Sequence, residues 1–185
     1  MTEPNQLPEE IYASLASVID DSLVQRLVSS FATAINNKVK TIHLFMHSPG
    51  GSVSSAVSIY NLLSNIPINI IIYNGGYVAS AAVIVYLSGK IRKASANATF
   101  LLHEVTFNPS APMTAEFMKT RVQIIERDSM IIESILRKHV SISDSKLEIL
   151  KRSDLFIGAE EAKSIKLIHE IGDFVLPPGN QLFNI

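Results

Sequence analysis

Ser80 lies in the small-residue string Ala79-Ser80-Ala81-Ala82, behind an apolar, β-branched run at 68–73 and the turn-prone Asn74-Gly75-Gly76. That order reads as strand, turn, serine, helix. A serine in the first turn of a helix behind a buried strand is displayed at the sheet's edge beside unpaired backbone N–H groups, which is how a nucleophilic hydroxyl is commonly presented. The local pattern Val78-Ala79-Ser80-Ala81-Ala82 is not the G-x-S-x-G elbow, although alanine permits the same close backbone packing. Taken alone, a helix cap is the simpler reading of such a serine. The chemistry depends on finding a base.

A free serine hydroxyl is hardly ionised near neutral pH and needs a hydrogen-bonded imidazole to take its proton. The chain has five histidines. His43 falls mid-strand and reads as a surface or core residue. His139 closes a long helix, where a cation complements the dipole, and His169 sits near the terminal strand. His47 and His103 fall at the carboxyl ends of strands. His103 is the better base, because the strand before it fixes its direction; His47 steps into a glycine turn and reads as structural or supporting. A triad also needs a carboxylate held in a loop. Asp20, Asp21 and Asp144 look like helix caps, Asp128 lies on the long helix and Asp173 belongs to the terminal strand. Asp154 stands between a helix end and the apolar Leu155-Phe156-Ile157, a placement that suits an orienter, though a cap for the next helix also explains it. Glu104, next to His103, should point to the opposite strand face.

A tetrahedral intermediate requires two backbone donors aimed at its oxygen. Gly50-Gly51 can expose such an N–H, and Ala81, directly after the serine, supplies the other. Read plainly, Ser48-Pro49-Gly50-Gly51 is a tight turn that starts the next helix. It is not a phosphate loop: it lacks the Lys-Ser/Thr ending of a P-loop and the third glycine of a dinucleotide fingerprint.

The elements that must position these residues alternate. A strand at 11–19 is followed by Asp20-Asp21-Ser22 capping a helix with Leu23, Leu27, Phe31 and Ala34 inward and Val24, Val28 and Ile35 widening the stripe. A strand at 41–46 leads through the glycine turn to a helix carrying Ala56, Val57, Ile59, Tyr60 and Leu63. The strand at 68–73 and the Ser80 helix, ending at Ser88-Gly89, repeat the unit, and 98–105 is again strand-like. This argues for an α/β layer of mainly parallel strands whose carboxyl-end loops build the site. A loop at 107–113 holds Pro109 and Pro112. The helix from 114 to about 139 is apolar on more than one side, which places it either against another subunit or inside its own domain. Ser143 caps a helix reaching 152, a short helix spans 159–165, and 167–175 returns to the sheet before a polar tail opened by Pro177-Pro178-Gly179.

One compact domain spanning 1–185 fits 185 residues with 47% hydrophobic content and a net charge of −1, with a short leader at 1–10 and a tail at 176–185. The near-zero charge and the absence of a basic run argue against nucleic acid or an anionic membrane as partner. With no cysteine, thiolate metal sites and a cysteine nucleophile are excluded. No signal peptide or membrane-length apolar run is evident, so a cytoplasmic location is expected.

The chain resembles the ClpP family of self-compartmentalising serine peptidases, the Clp protease proteolytic subunit. Ser48-Pro49-Gly50-Gly51-Ser52-Val53 looks like that family's S-P-G-G-x-[VI] loop, and Gly76-Tyr77-Val78-Ala79-Ser80-Ala81 like its nucleophile motif. Leu101-Leu102-His103 and the stretch from Asp154 to Ala162 resemble its histidine and aspartate segments, in family order and near-family spacing. The resemblance implies a ClpP/crotonase fold, a spiral of β-β-α units with a protruding handle helix. It also implies a Ser80, His103, Asp154 triad, with Gly50 and Ala81 as oxyanion hole and Gly51, Ser52 and Val105 against the substrate. It further implies stacked, commonly heptameric homo-oligomeric rings acting on unfolded polypeptide or peptides, with no metal or organic cofactor. Departures from the family pattern fall on the leader, short for an axial segment that meets an AAA+ unfoldase ATPase, and on Phe107-Asn108-Pro109-Ser110-Ala111-Pro112, where a glycine-rich strand is usual. Ala81 replaces a methionine, Ser153 an arginine and Gly158 a Ser/Thr cap. Two other readings remain open: a crotonase-type acyl-CoA enzyme and a non-catalytic ring subunit or scaffold.

Overall fold

The computed structural model describes residues 7–107, 114–150 and 152–185. Its centre is a mainly parallel sheet. Strand β1 (Glu10–Ala16) pairs with β2 (Thr41–Ser48), and β2 with β3 (Asn69–Ala79), all parallel. Between them the chain returns through α1 (Asp21–Asn36) and α2 (Val53–Asn65), the crossover that parallel pairing requires. Asp20 caps α1 by accepting the Leu23 N–H at 2.7 Å, and Leu23, Leu27, Phe31 and Ala34 are its buried face. Val28 and Ile35 are exposed, so the stripe is narrower than the apolar pattern implies. Each buried leucine or phenylalanine is worth about 1.5–3 kcal/mol, and this face holds α1 to the sheet.

The expected turn at Asn74-Gly75-Gly76 is absent. β3 runs through it and changes partner on the way. Residues Ile71 to Asn74 pair with β4 (Ile91–Ala94), and Tyr77 to Ala79 pair with β5 (Thr99–Leu102). Met46 faces Asn74 but Ser48 faces Val78, so β3 carries extra residues as a bulge. The buried Asn74 amide bridges the irregularity, accepting the Gly76 N–H at 2.9 Å and donating to the Thr99 carbonyl at 3.0 Å. Gly75 has a steric role: a Cβ there would lie 1.9 Å from the Phe45 ring. Turn-type residues inside a strand thus mark a bulge rather than its end.

Beyond β3 lie the buried α3 (Ala81–Tyr86), the long α4 (Ala115–His139) and α5 (Asp144–Leu150). Thr114 caps α4, its side chain accepting the Phe117 N–H. β6 (Leu155–Gly158) pairs antiparallel with β5, α6 (Ala159–Ser164) follows, and the short β7 (Glu170–Ile171) pairs with β4. The tail is not merely polar. Gly179, at φ 84°, turns the chain so that β8 (Leu182–Asn184) adds in parallel to β1, with Ser14 Oγ donating to Asn184 Oδ1 at 2.6 Å. The strand expected at 98–105 stops at Leu102, and the prolines of the 107–113 loop lie outside the described residues.

Candidate active site

Parallel pairing sends the carboxyl ends of β2, β3 and β5 to one edge of the sheet, where they become the Gly50-Gly51 loop, Ser80 and His103. β6 runs the other way, so its beginning, with Leu155 facing Leu102 and Asp154 just before it, lies at the same edge.

Ser80 adopts φ 56° and ψ −132°, a conformation disfavoured for a residue with a Cβ and costing on the order of 1–3 kcal/mol. Its N–H donates to the Leu101 carbonyl at 2.7 Å, and its side chain makes no capping hydrogen bond. The cap reading of this serine is therefore not what the local geometry shows. Gly50 packs directly against it; a Cβ on Gly50 would stand 2.7 Å from both the Ala79 carbonyl oxygen and Ser80 Cβ, and its φ of 98° favours glycine in any case.

The glycine loop is clamped to Ile19, three residues past the end of β1. Ile19 donates its N–H to the Gly50 carbonyl and accepts from Ser52 N–H, both at 2.8 Å. In such a parallel bridge the residue between, Gly51, turns its own N–H and C=O away from Ile19. The Gly50 N–H, expected to serve as an oxyanion donor, instead donates to the buried Ser48 hydroxyl at 3.2 Å, and that hydroxyl donates to Ser17 carbonyl at 2.6 Å. The loop glycine on the cavity wall is Gly51, whose N–H has no acceptor among the described residues. Ser52 caps α2, accepting the Ser55 N–H, and does not line the cavity.

One cavity of about 100 Å³ is walled by Gly51, Val53, Ser80, Ala81, His103 and Val105 among others. Ala81 begins α3, so its N–H has no partner within that helix. His103 Nδ1 lies 2.7 Å from the Glu104 carbonyl, which it meets as a donor. Asp154 is exposed and off the cavity lining, and among the described residues no hydrogen bond joins it to His103.

Comparison with known proteins shows the family. A model of the Clp protease family matches residues 3–174. The chain belongs to the Clp protease family. It is 25% identical over 159 residues to an ATP-dependent Clp protease proteolytic subunit of Cyanophora paradoxa, covering 84% of this chain and 81% of the relative. It is 25% identical over 173 residues to an ATP-dependent Clp protease proteolytic subunit 2 of Corynebacterium jeikeium (strain K411), covering 92% and 82%. Its fold matches a ClpP1 variant of Listeria monocytogenes with a TM-score of 0.75 at 19% identity, over 88% of this chain and 91% of that one.

In this Clp protease family member the remaining histidines have other work. His43 stacks on Tyr12, with ring centroids 4.8 Å apart, and its Nε2 meets Glu10 at 2.6 Å. His139 Nε2 hydrogen-bonds the Tyr60 hydroxyl at 2.7 Å rather than merely capping α4. His169 Nδ1 accepts the Arg92 N–H at 2.9 Å. Burial, then the charge of Arg92, pushes both imidazoles below their ordinary pKa. His47 is exposed, its ring centroid 6.3 Å from Tyr77. Glu104 is the residue that sequence reasoning misjudged. Once β5 ends at Leu102, strand alternation no longer applies, and His103, Glu104, Val105 and Thr106 all line the cavity in succession. No helix among the described residues is long and apolar enough to cross a membrane.

Proposed function

We propose that this chain is a serine endopeptidase in which Ser80 attacks a peptide carbonyl, His103 is the general base and Asp154 orients the imidazole. What carries the reading is the shared cavity wall of Gly51, Ser80, Ala81 and His103, with the serine held in a strained turn and free of capping duty. The Ser80 Oγ proton passes to His103 Nε2 as Oγ bonds the carbonyl carbon. The N–H groups of Ala81 and Gly51 hold the resulting oxyanion. His103 then returns the proton to the leaving amine, and water hydrolyses the acyl-enzyme by the same route.

The His103 Nδ1–H faces the Glu104 carbonyl, so arming the site requires the ring to exchange that acceptor for the Asp154 carboxylate. Helix α4 gives subunit packing a route to this step, because its Ile132 lines the cavity while Phe117, Met118, Val122, Ile124 and Met130 lie exposed on it. Those residues support burial against other copies of the chain in a ring assembly. The ATP dependence in the relatives' names supports an ATPase partner delivering unfolded polypeptide. The off-line resting imidazole also favours a second reading, a ring subunit that assembles without turning over. A fluorophosphonate probe separates the two. Wild type should be labelled and Ser80→Ala should not, while Asp154→Asn should label about a hundredfold or more slower. Equal labelling of wild type and Ser80→Ala, or none of either, would sink the peptidase reading.

A further inference from the structure

Ser48 closes β2, two residues ahead of Gly50, and its side chain is fully buried. A hydroxyl has one proton to give and lone pairs with which to receive. Here the proton goes to the Ser17 carbonyl at 2.6 Å, so toward the Gly50 N–H, 3.2 Å away, the oxygen acts only as acceptor. A local turn would need just the second of these bonds. The first reaches back 31 residues, to the connection between β1 and α1, and fixes the direction in which the receiving lone pair points.

The same connection holds the other side of Gly50. Ile19, fully buried and next to the α1 cap Asp20, donates its N–H to the Gly50 carbonyl at 2.8 Å. Gly50 is therefore gripped at both of its peptide groups, the preceding one by Ser48 and the following one by Ile19. Between the grips lie the φ and ψ of a glycine, whose rotation no side chain restricts. This is also the loop residue that packs directly against Ser80. Release at the Ser48 side would let Gly50 pivot about its bond to Ile19 and change the distance between the loop and the serine.

We propose that Ser48 is a positioning residue for the oxyanion hole: its hydroxyl holds Gly50 in place against Ser80, so that the Gly51 and Ala81 N–H groups aim at one point. The inference rests on the peptidase reading. Without the Ser48 oxygen, the buried Gly50 N–H and the Ser17 carbonyl both lose a partner, and the Pro49–Gly50 peptide turns to find another. The hole is engaged by the tetrahedral oxygen and not by the resting substrate, so the loss falls on the transition state alone.

The test uses the full chain, a peptide ahead of a coumarin leaving group, and a boronate of the same peptide, whose tetrahedral boron on Ser80 Oγ sets an oxygen in the hole. Ser48→Ala should lower kcat about tenfold to a hundredfold with KM within about twofold of wild type, and should weaken the boronate by a similar factor. Uncleaved peptide, followed by fluorescence anisotropy, should bind alike to Ser80→Ala and to Ser80→Ala combined with Ser48→Ala. Ser48→Cys, close in volume and a weaker hydrogen-bonding group, should fall between wild type and Ser48→Ala, and it decides the question should the alanine variant unfold. Unchanged kcat and boronate affinity in Ser48→Ala, or a loss that appears in KM and in peptide binding instead of in kcat, would overturn the role of Ser48 and leave the peptidase reading standing. A cysteine variant as fast as wild type would do the same. A wild type that neither turns over nor binds the boronate would overturn the peptidase reading and this role with it.

Discussion

Gly50 shows how little room the residue scale leaves at this site. It has no side chain because the space that one would occupy belongs to the Ala79 carbonyl and Ser80 Cβ, and its backbone sits at a positive φ. Replacing it with alanine must displace Ser80 or unclamp the loop from Ile19. Gly50→Ala is expected to destabilise the fold by about 2 kcal/mol and to cut fluorophosphonate labelling by about a hundredfold, since a displacement of 1 Å at a reacting centre can cost that much. Thermal melting and labelling rates measured on the same preparation check both; a variant that melts and labels like wild type would show that Gly50 does not position the serine.

At the scale of elements, the connection between β4, β7 and the end of α4 is held by unusual polar groups. Buried Arg92 donates Nε to the Leu167 carbonyl at 2.9 Å and Nη2 to the Lys166 carbonyl at 3.1 Å, while its backbone N–H is accepted by His169 Nδ1. That bond requires Nδ1 without a proton. Burial and the Arg92 charge lower the His169 pKa, and the same causes, with Lys138 and His169 added, lower that of His139. In the unfolded chain both imidazoles take up protons near the ordinary value of about 6.5, so below it the unfolded state binds more protons than the folded one. The stability these groups contribute is complete above that value and is lost as pH falls through the depressed folded pKa. Urea midpoints should therefore drop between pH 7.5 and pH 5. His169→Gln, whose amide oxygen can still accept from Arg92, should flatten the fall; an unaltered slope in that variant would discount His169 as its source.

For the whole molecule, the conspicuous feature is a 25-residue helix of which only Leu136 is fully buried. Met118 is 56% exposed, Val122 53% and Met130 73%, and with Phe117 and Ile124 they make more exposed large apolar residues than any other described helix carries. Surface of this kind on an α/β domain is costly unless another molecule covers it. Val122→Glu should shift the particle measured by light scattering to smaller mass and reduce turnover with it, because α4 also carries Ile132 on the cavity wall. An unchanged mass would remove α4 from the assembly contact.

The linear chain determined the alternation of strands and helices, the buried face of α1 and the close packing of small residues around Ser80, because each of these is written in the character of neighbouring residues: apolar period, capping side chains, small residues where backbones meet. It also carried enough motif to assign the family. Three things were decided only by the folded chain. Asn74-Gly75-Gly76 became a bulge because a strand changing partners needs slack, which cannot be told locally from a turn. The tail became β8 because an open edge on β1 was there to receive it. And Gly51 rather than Gly50 came to face the cavity, since that choice is made by a bridge to Ile19, more than thirty residues away, and no local rule of the glycine loop can anticipate a hydrogen bond made to another segment.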